Sequence, residues 1–113
     1  MEFKLKTMLT VNDLKKRVQV GTKLEGVRHN TKLGYDPDTK EPVYGDKLLG
    51  VRQVVAVKGK AFAFEAEVNG ETVLSWCDFP KASELRYIDN DTFSIFREDS
   101  DGRKYKKLTY KFV

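Results

Sequence analysis

Residues 61–76, Ala61-Phe62-Ala63-Phe64-Glu65-Ala66-Glu67-Val68-Asn69-Gly70-Glu71-Thr72-Val73-Leu74-Ser75-Trp76, decide the fold class. A two-residue type I′ turn needs positive φ at both central positions, and Asn-Gly tolerates this best. Period-two alternation flanks that pair, so the stretch predicts a β-hairpin. Phe62, Phe64, Ala66 and Val68 face inward, and Ala63, Glu65 and Glu67 face outward.

Moving outward from the hairpin, the same reading yields strands over residues 24–29 and 48–57, the second richer in Val and Leu. Downstream, residues 78–84 predict a turn or a single helical turn around Pro80. Short strands over 85–88 and 92–96 meet at Asn90-Asp91, and Asp99-Ser100-Asp101-Gly102 turns the chain into a last strand over 103–113. Upstream, Phe3, Leu5 and Leu9 suggest a first strand. Thr10 then caps a two-turn helix over 11–18, with Asp13 completing a capping box and Gly21 ending it. So short a helix must dock its Val11/Leu14/Val18 stripe on the sheet.

Residues 31–46 hold Gly34, Pro37, Pro42 and Gly45 and are expected to form a long loop, functional or mobile, in which Tyr35 and Tyr44 are candidate partner-binding residues. Leu24-Glu25-Gly26-Val27-Arg28 and Leu48-Leu49-Gly50-Val51-Arg52 share L-x-G-V-R, an echo best explained by two paired strands with glycine at a bend. The fold expected is mainly β with α+β character. It is a small curved antiparallel sheet or an SH3-like partly open barrel, carrying one short N-terminal helix, and residues 1–113 form a single domain.

Composition sets the limits. A chain of 113 residues, 40% hydrophobic and 34% charged, builds one core. The single cysteine, Cys77, cannot close an internal disulfide. The opening residues alternate charged with apolar side chains and lack the run that a secretory signal or membrane span requires, so a cytoplasmic protein with no membrane partner is expected. The net charge of +4 is segregated: residues 1–34 and 103–113 are strongly basic, and residues 61–102 strongly acidic.

Catalysis lacks parts. One histidine, His29, and one cysteine make no zinc set and stand in no nucleophile motif, and no phosphate-cradling glycine loop is present. Asp36/Asp38 and Asp99/Asp101 have fragments of calcium-loop spacing without the remaining ligands, so turn chemistry accounts for them. No enzyme activity, metal or cofactor is expected.

Two binding surfaces are expected instead. In the last strand, Arg103, Tyr105, Lys107, Thr109 and Lys111 fall on one face at period two, opposite Leu108, Tyr110 and Phe112. A phenol among cations suits single-stranded nucleic acid, whose phosphates the cations attract and whose bases stack on the ring. Lys15, Lys16 and Arg17, with Lys4 and Lys6, extend this patch if the two basic ends converge. The acidic middle, with Glu65, Glu67, Glu71, Asp78 and Glu84, offers the second surface: Glu65, Glu67 and Glu71 are candidate partner contacts that compete for a DNA-binding groove. Trp76 and Phe79 are expected to plug one end of a small barrel.

The block Ser75-Trp76-Cys77-Asp78-Phe79-Pro80-Lys81-Ala82-Ser83, followed by a short strand and Thr92-Phe93-Ser94-Ile95-Phe96, resembles that of small uncharacterised proteins encoded by phages and prophages of Gram-positive bacteria. The resemblance implies an accessory protein that works by binding and transfers no functional residue. A non-catalytic module that occupies a host protein or nucleoprotein, such as a nuclease or defence complex, is the leading expectation. A single-strand nucleic-acid binder is the alternative.

Overall fold

The computed structural model describes residues 10–113 of the chain. The strand expected around Phe3, Leu5 and Leu9, and the cations Lys4 and Lys6, lie outside the described residues. Helix α1 spans Val11–Arg17. Thr10 caps it, its hydroxyl accepting from the Asp13 N–H at 3.1 Å and donating to the Asp13 carboxylate at 2.9 Å.

Seven strands follow: β1 Lys23–Tyr35, β2 Pro42–Val57, β3 Ala61–Val68, β4 Glu71–Asp78, β5 Leu85–Asp89, β6 Thr92–Glu98 and β7 Lys104–Phe112, with a single 3-10 turn at Ala82–Glu84 before β5. They form one antiparallel sheet in the order β4-β3-β2-β1-β7-β6-β5. Asn69 and Gly70 take φ of 54° and 83°, as the predicted turn demands.

The sheet is rolled but open. In a flat sheet β3 and β7, three strand spacings apart, would lie about 14 Å from each other. Instead the rings of Phe62 on β3 and Tyr110 on β7 meet with centroids 6.1 Å apart. Register shifts that bend the ladders fall at Gly26/Val27, Val54/Ala56 and Ile95/Phe96. The edges β4 and β5 do not pair, so the sheet does not close into a barrel.

The concave face holds the core: Leu24, Val54, Phe62, Phe64, Phe93, Ile95, Leu108 and Tyr110, with Leu14 of α1 and Val18 at its C-terminal cap laid across one end. Burial of each such side chain is worth about 1.5–3 kcal/mol, which holds a helix too short to persist alone. Phe79 joins the core, 5.0 Å from Phe62. Trp76 does not. On an antiparallel strand its neighbours Ser75 and Cys77 take the inward positions, so the indole lies outward and half exposed under Lys58, whose Nζ is 4.5 Å from the ring centroid. Only the phenylalanine half of the expected plug is therefore present.

The expected long loop over 31–46 is instead a projecting hairpin arm. Pairing of β7 with β1 stops at Arg28, and pairing of β3 with β2 is confined to Val54–Val57. Beyond Arg28 and Lys47 the two strands pair, among the described residues, only with each other, and these residues measure 59 × 35 × 25 Å. Proline and glycine are tolerated in this ribbon because Pro42 opens its strand, where no ladder hydrogen bond is lost. The true turn is short and built on Asp36, whose carboxylate accepts from the N–H groups of Asp38 and Thr39 at 2.7 and 3.0 Å. Those two bonds hold the Asp36 carboxyl below its usual pKa.

Candidate functional site

The arm is apolar and aromatic on its exposed surface. Tyr35 and Tyr44 are 62% and 57% exposed, beside exposed Leu33 and Val43. Tyr44 pairs with Lys32, and the Lys32 ammonium reaches the Tyr35 hydroxyl at 2.9 Å over the ring. The two candidate tyrosines thus flank one lysine on a ribbon that no other strand among the described residues covers. A two-stranded ribbon is marginal by itself, so its root matters.

That root is a bulge. Arg28 pairs with Lys47 and Thr31 with Gly45, which sets His29 and Asn30 against Asp46 alone, with Asn30 at φ 55°. His29 Nδ1 lies 2.9 Å from Asp46 Oδ1, its Nε2 2.7 Å from Thr109 Oγ1, and Thr109 Oγ1 2.8 Å from the buried Ser94 hydroxyl. The carboxylate requires the proton on Nδ1 of the neutral ring, so Nε2 accepts from Thr109 and Thr109 accepts from Ser94. This relay resembles a nucleophile triad in composition. Its hydroxyls lie between strands β1, β7 and β6, where it clamps the arm to the sheet.

The concave face opens, at the end away from α1, into a cleft of about 170 Å3 lined by Arg28, Arg52, Arg97 and Lys107, with Phe64, Ser75, Trp76, Cys77, Asp78, Leu108 and Tyr110. The echo in the sequence builds half of it: Gly26 faces Gly50 across the β1–β2 ladder, and the arginine of each copy ends in the cleft. The Arg52 guanidinium stacks on Phe64, 4.2 Å from its centroid. Arg97 is already held, at 2.8 Å by Glu84 and at 3.2 Å by the Asp78 carbonyl. Arg28, Arg52 and Lys107 have no carboxylate within ion-pair distance among the described residues. Burial pushes the Cys77 thiol and the Tyr110 phenol up, so both remain neutral donors there.

The expected basic strand face does not exist as one surface. Ile95 pairs with Leu108 but Phe96 with Lys106, so Lys107 is an extra residue in β7 and the alternation changes phase there. Lys107 lies in the concave cleft, and Tyr105, paired with Arg97, is on that side too. Lys111 lies with Thr109 on the opposite face, beside Glu25, Val27 and Leu48. Arg103 precedes the strand, in the turn where its N–H donates to Asp99 at 2.9 Å.

The helix cations stand at the other end of β7. Arg17 binds the Asn90 carbonyl at 2.6 Å and Asp91 at 2.7 Å, and covers the Phe112 ring at 4.0 Å. Lys15 sits 5.7 Å from the Phe79 ring. Helix and last strand do adjoin, but Arg17 is spent within the fold. Of the acidic candidates, Glu65 and Glu67 share one face of the β3–β4 hairpin, while Glu71, paired with Val68, takes the other.

Among the described residues, no group of three or more His, Cys, Asp or Glu converges as a metal-ligand set, and no helix is long and apolar enough to cross a membrane. Compared with models of protein families, with curated proteins and with solved structures, the chain matches none of them.

Proposed function

We propose that this chain is a non-catalytic binding module whose β1–β2 arm docks on a protein partner. The observation that carries the reading is the arm itself: a ribbon that among the described residues pairs only with itself, with Tyr35, Tyr44, Leu33 and Val43 exposed along it. Aromatic side chains with a polar tip make contact area at small entropic cost, and tyrosine is enriched at the centres of interfaces. Large exposed side chains on a projecting ribbon offer the contact area that a docking site requires.

The resemblance of the Ser75–Ser83 block to phage and prophage proteins supports an accessory role on a host protein or nucleoprotein, in the reducing cytoplasm that suits a lone thiol. The exposed glutamates 65 and 67 flank that role as a like-charged face toward a DNA-binding partner.

A photo-cross-linking residue placed at Tyr44, and separately at Glu98 on the body, tests this in the host cell. The same protein should cross-link through position 44 and not 98. Reconstituted with the purified chain, that partner should lose affinity at least ten-fold when Tyr35 and Tyr44 are both alanine. Equal cross-linking from the two positions, or an affinity untouched by the double change, would overturn the arm as the contact.

A further inference from the structure

The open end of the concave face holds more positive charge than the fold neutralises. Arg97 is matched by Glu84 at 2.8 Å, which leaves Arg28, Arg52 and Lys107 in the cleft with the single carboxylate of Asp78 on its wall. Cations brought together without counter-charge repel one another and raise the local potential, the more so on a floor of Phe64, Leu108 and Tyr110. Structural cations usually extend into solvent. These three arise from three different strands, β1, β2 and β7, and line one hollow, while the hydroxyl of Ser75 and the phenol of Tyr110 supply neutral donors beside them.

We propose that this cleft binds a phosphate group, held by Arg28, Arg52 and Lys107 with Ser75 and Tyr110 as neutral donors. The lining carries a surplus of two positive charges once Arg97 and Asp78 are set against their opposites, which matches a phosphate dianion. Guanidinium forks suit the paired oxygens of a tetrahedral oxyanion, and a lysine adds a point charge. Size points the same way. About 170 Å3 accommodates the equivalent of about five or six water molecules at ~30 Å3 each, and falls short of the roughly 300 Å3 at which sites for larger organic ligands begin. The Phe64 ring already carries the Arg52 guanidinium, and the Trp76 indole at the rim carries the Lys58 ammonium. The cleft therefore takes the phosphate alone, either as the free ion or as the terminal phosphomonoester of a nucleotide whose nucleoside remains outside. The site is independent of the arm, and the inference stands whether or not the arm docks on a protein.

Titration of the full chain with inorganic phosphate, and in parallel with adenosine 5′-monophosphate, tests it, with sodium chloride at matched ionic strength as the reference. The readouts are the Nε–Hε resonances of the arginines and the melting temperature. Saturable shifts at Arg28 and Arg52, and a melting temperature raised above the chloride reference, are expected with at least one probe. Arg28→Gln combined with Lys107→Gln should weaken that binding at least ten-fold with an unchanged circular dichroism spectrum, and Lys111→Gln on the opposite face should not weaken it. Arg52 is left intact because its stacking on Phe64 also supports the fold. A nucleotide bound ten-fold tighter than phosphate identifies the nucleotide as the source, and equal affinities identify the free ion. Shifts that merely follow ionic strength, or binding unaffected by the double change, would overturn the site.

Discussion

His29 Nε2 stands 2.7 Å from Thr109 Oγ1, although the two residues are 80 positions apart in the chain. That contact fastens the root of the arm to the last strand, because His29 lies in the bulge opposite Asp46 and Thr109 passes the bond on to Ser94. Replacing His29 with Ala leaves the half-buried Thr109 hydroxyl without an acceptor for its proton, at about 1–3 kcal/mol. Urea denaturation should show that loss, and amide exchange should accelerate over residues 31–45 while β3 and β6 keep their protection. Unaltered exchange in the arm would show that the relay fastens nothing.

Gly26 and Gly50 face each other but differ in what they tolerate. A Cβ on Gly26 would stand 2.7 Å from Cε1 of the Tyr110 ring, which packs directly on the glycine. Gly26→Ala is therefore overpacked by a ring held in the core and should cost about 1–3 kcal/mol. A Cβ on Gly50 meets nothing, and its penalty is backbone strain at φ +75°, about 1 kcal/mol. Melting temperatures of the two variants should fall in that order, and the reverse order would contradict the Gly26–Tyr110 contact.

Tyr87 carries the one buried side-chain polar atom without a partner among the described residues, its hydroxyl. Burial, with the Asp13 carboxylate as a smaller cause, pushes its pKa up to about 12. Tyr87→Phe removes an unsatisfied group and should leave stability unchanged or raise it. A fall of more than about 1 kcal/mol in denaturant titration, the usual net worth of a formed hydrogen bond, would mean that the hydroxyl is bonded after all.

The alkaline limb of stability follows from the same groups. Cys77, Tyr87 and Tyr110 are all raised in the folded chain, chiefly by burial, from ordinary values of 9.0 for the thiol and 10.0 for the phenols. On raising the pH the unfolded chain releases these protons first, so it binds fewer protons than the fold and stability falls. The contribution is whole below pH 9 and is lost progressively from there toward the folded values. Urea midpoints measured from pH 7 upward should decline above 9, and Tyr87→Phe should make the decline shallower.

The raised Cys77 pKa also makes the thiol slow to react, since only the thiolate attacks. Labelling with a disulfide reagent at pH 8 should run at least ten-fold slower in the folded chain than in urea. Equal rates would mean that Cys77 is neither buried nor kept protonated.

Much of the fold was legible where local chemistry and pattern agree. Asn69-Gly70 marked the hairpin, Thr10 and Asp13 the helix start, and Leu108, Tyr110 and Phe112 the inward face of the last strand. The echo correctly announced a strand pair with opposed glycines. It also carried an unread signal, since the arginine repeated in both copies marks the cleft. The arm was hidden because glycine and proline scattered through residues 31–46 look the same in a loop as in a bulged ribbon whose true turn is only the Asp36 segment. The phase change at Lys107 was hidden for a different reason. No residue type announces an extra residue in a strand, and one such residue divides a five-residue face between two sides. The His29 relay joins positions 17 and 80 apart and depends wholly on register.

Because the tip of the arm pairs only with itself among the described residues, its reach is adjustable. Two residues added to each strand in register would lengthen the projection by about 7 Å at the usual strand rise, and would leave the His29 clamp and the rolled core as they are. Few parts of so small a molecule can change size freely. This one can be lengthened or shortened without any repacking, as a ruler whose graduations are residue pairs.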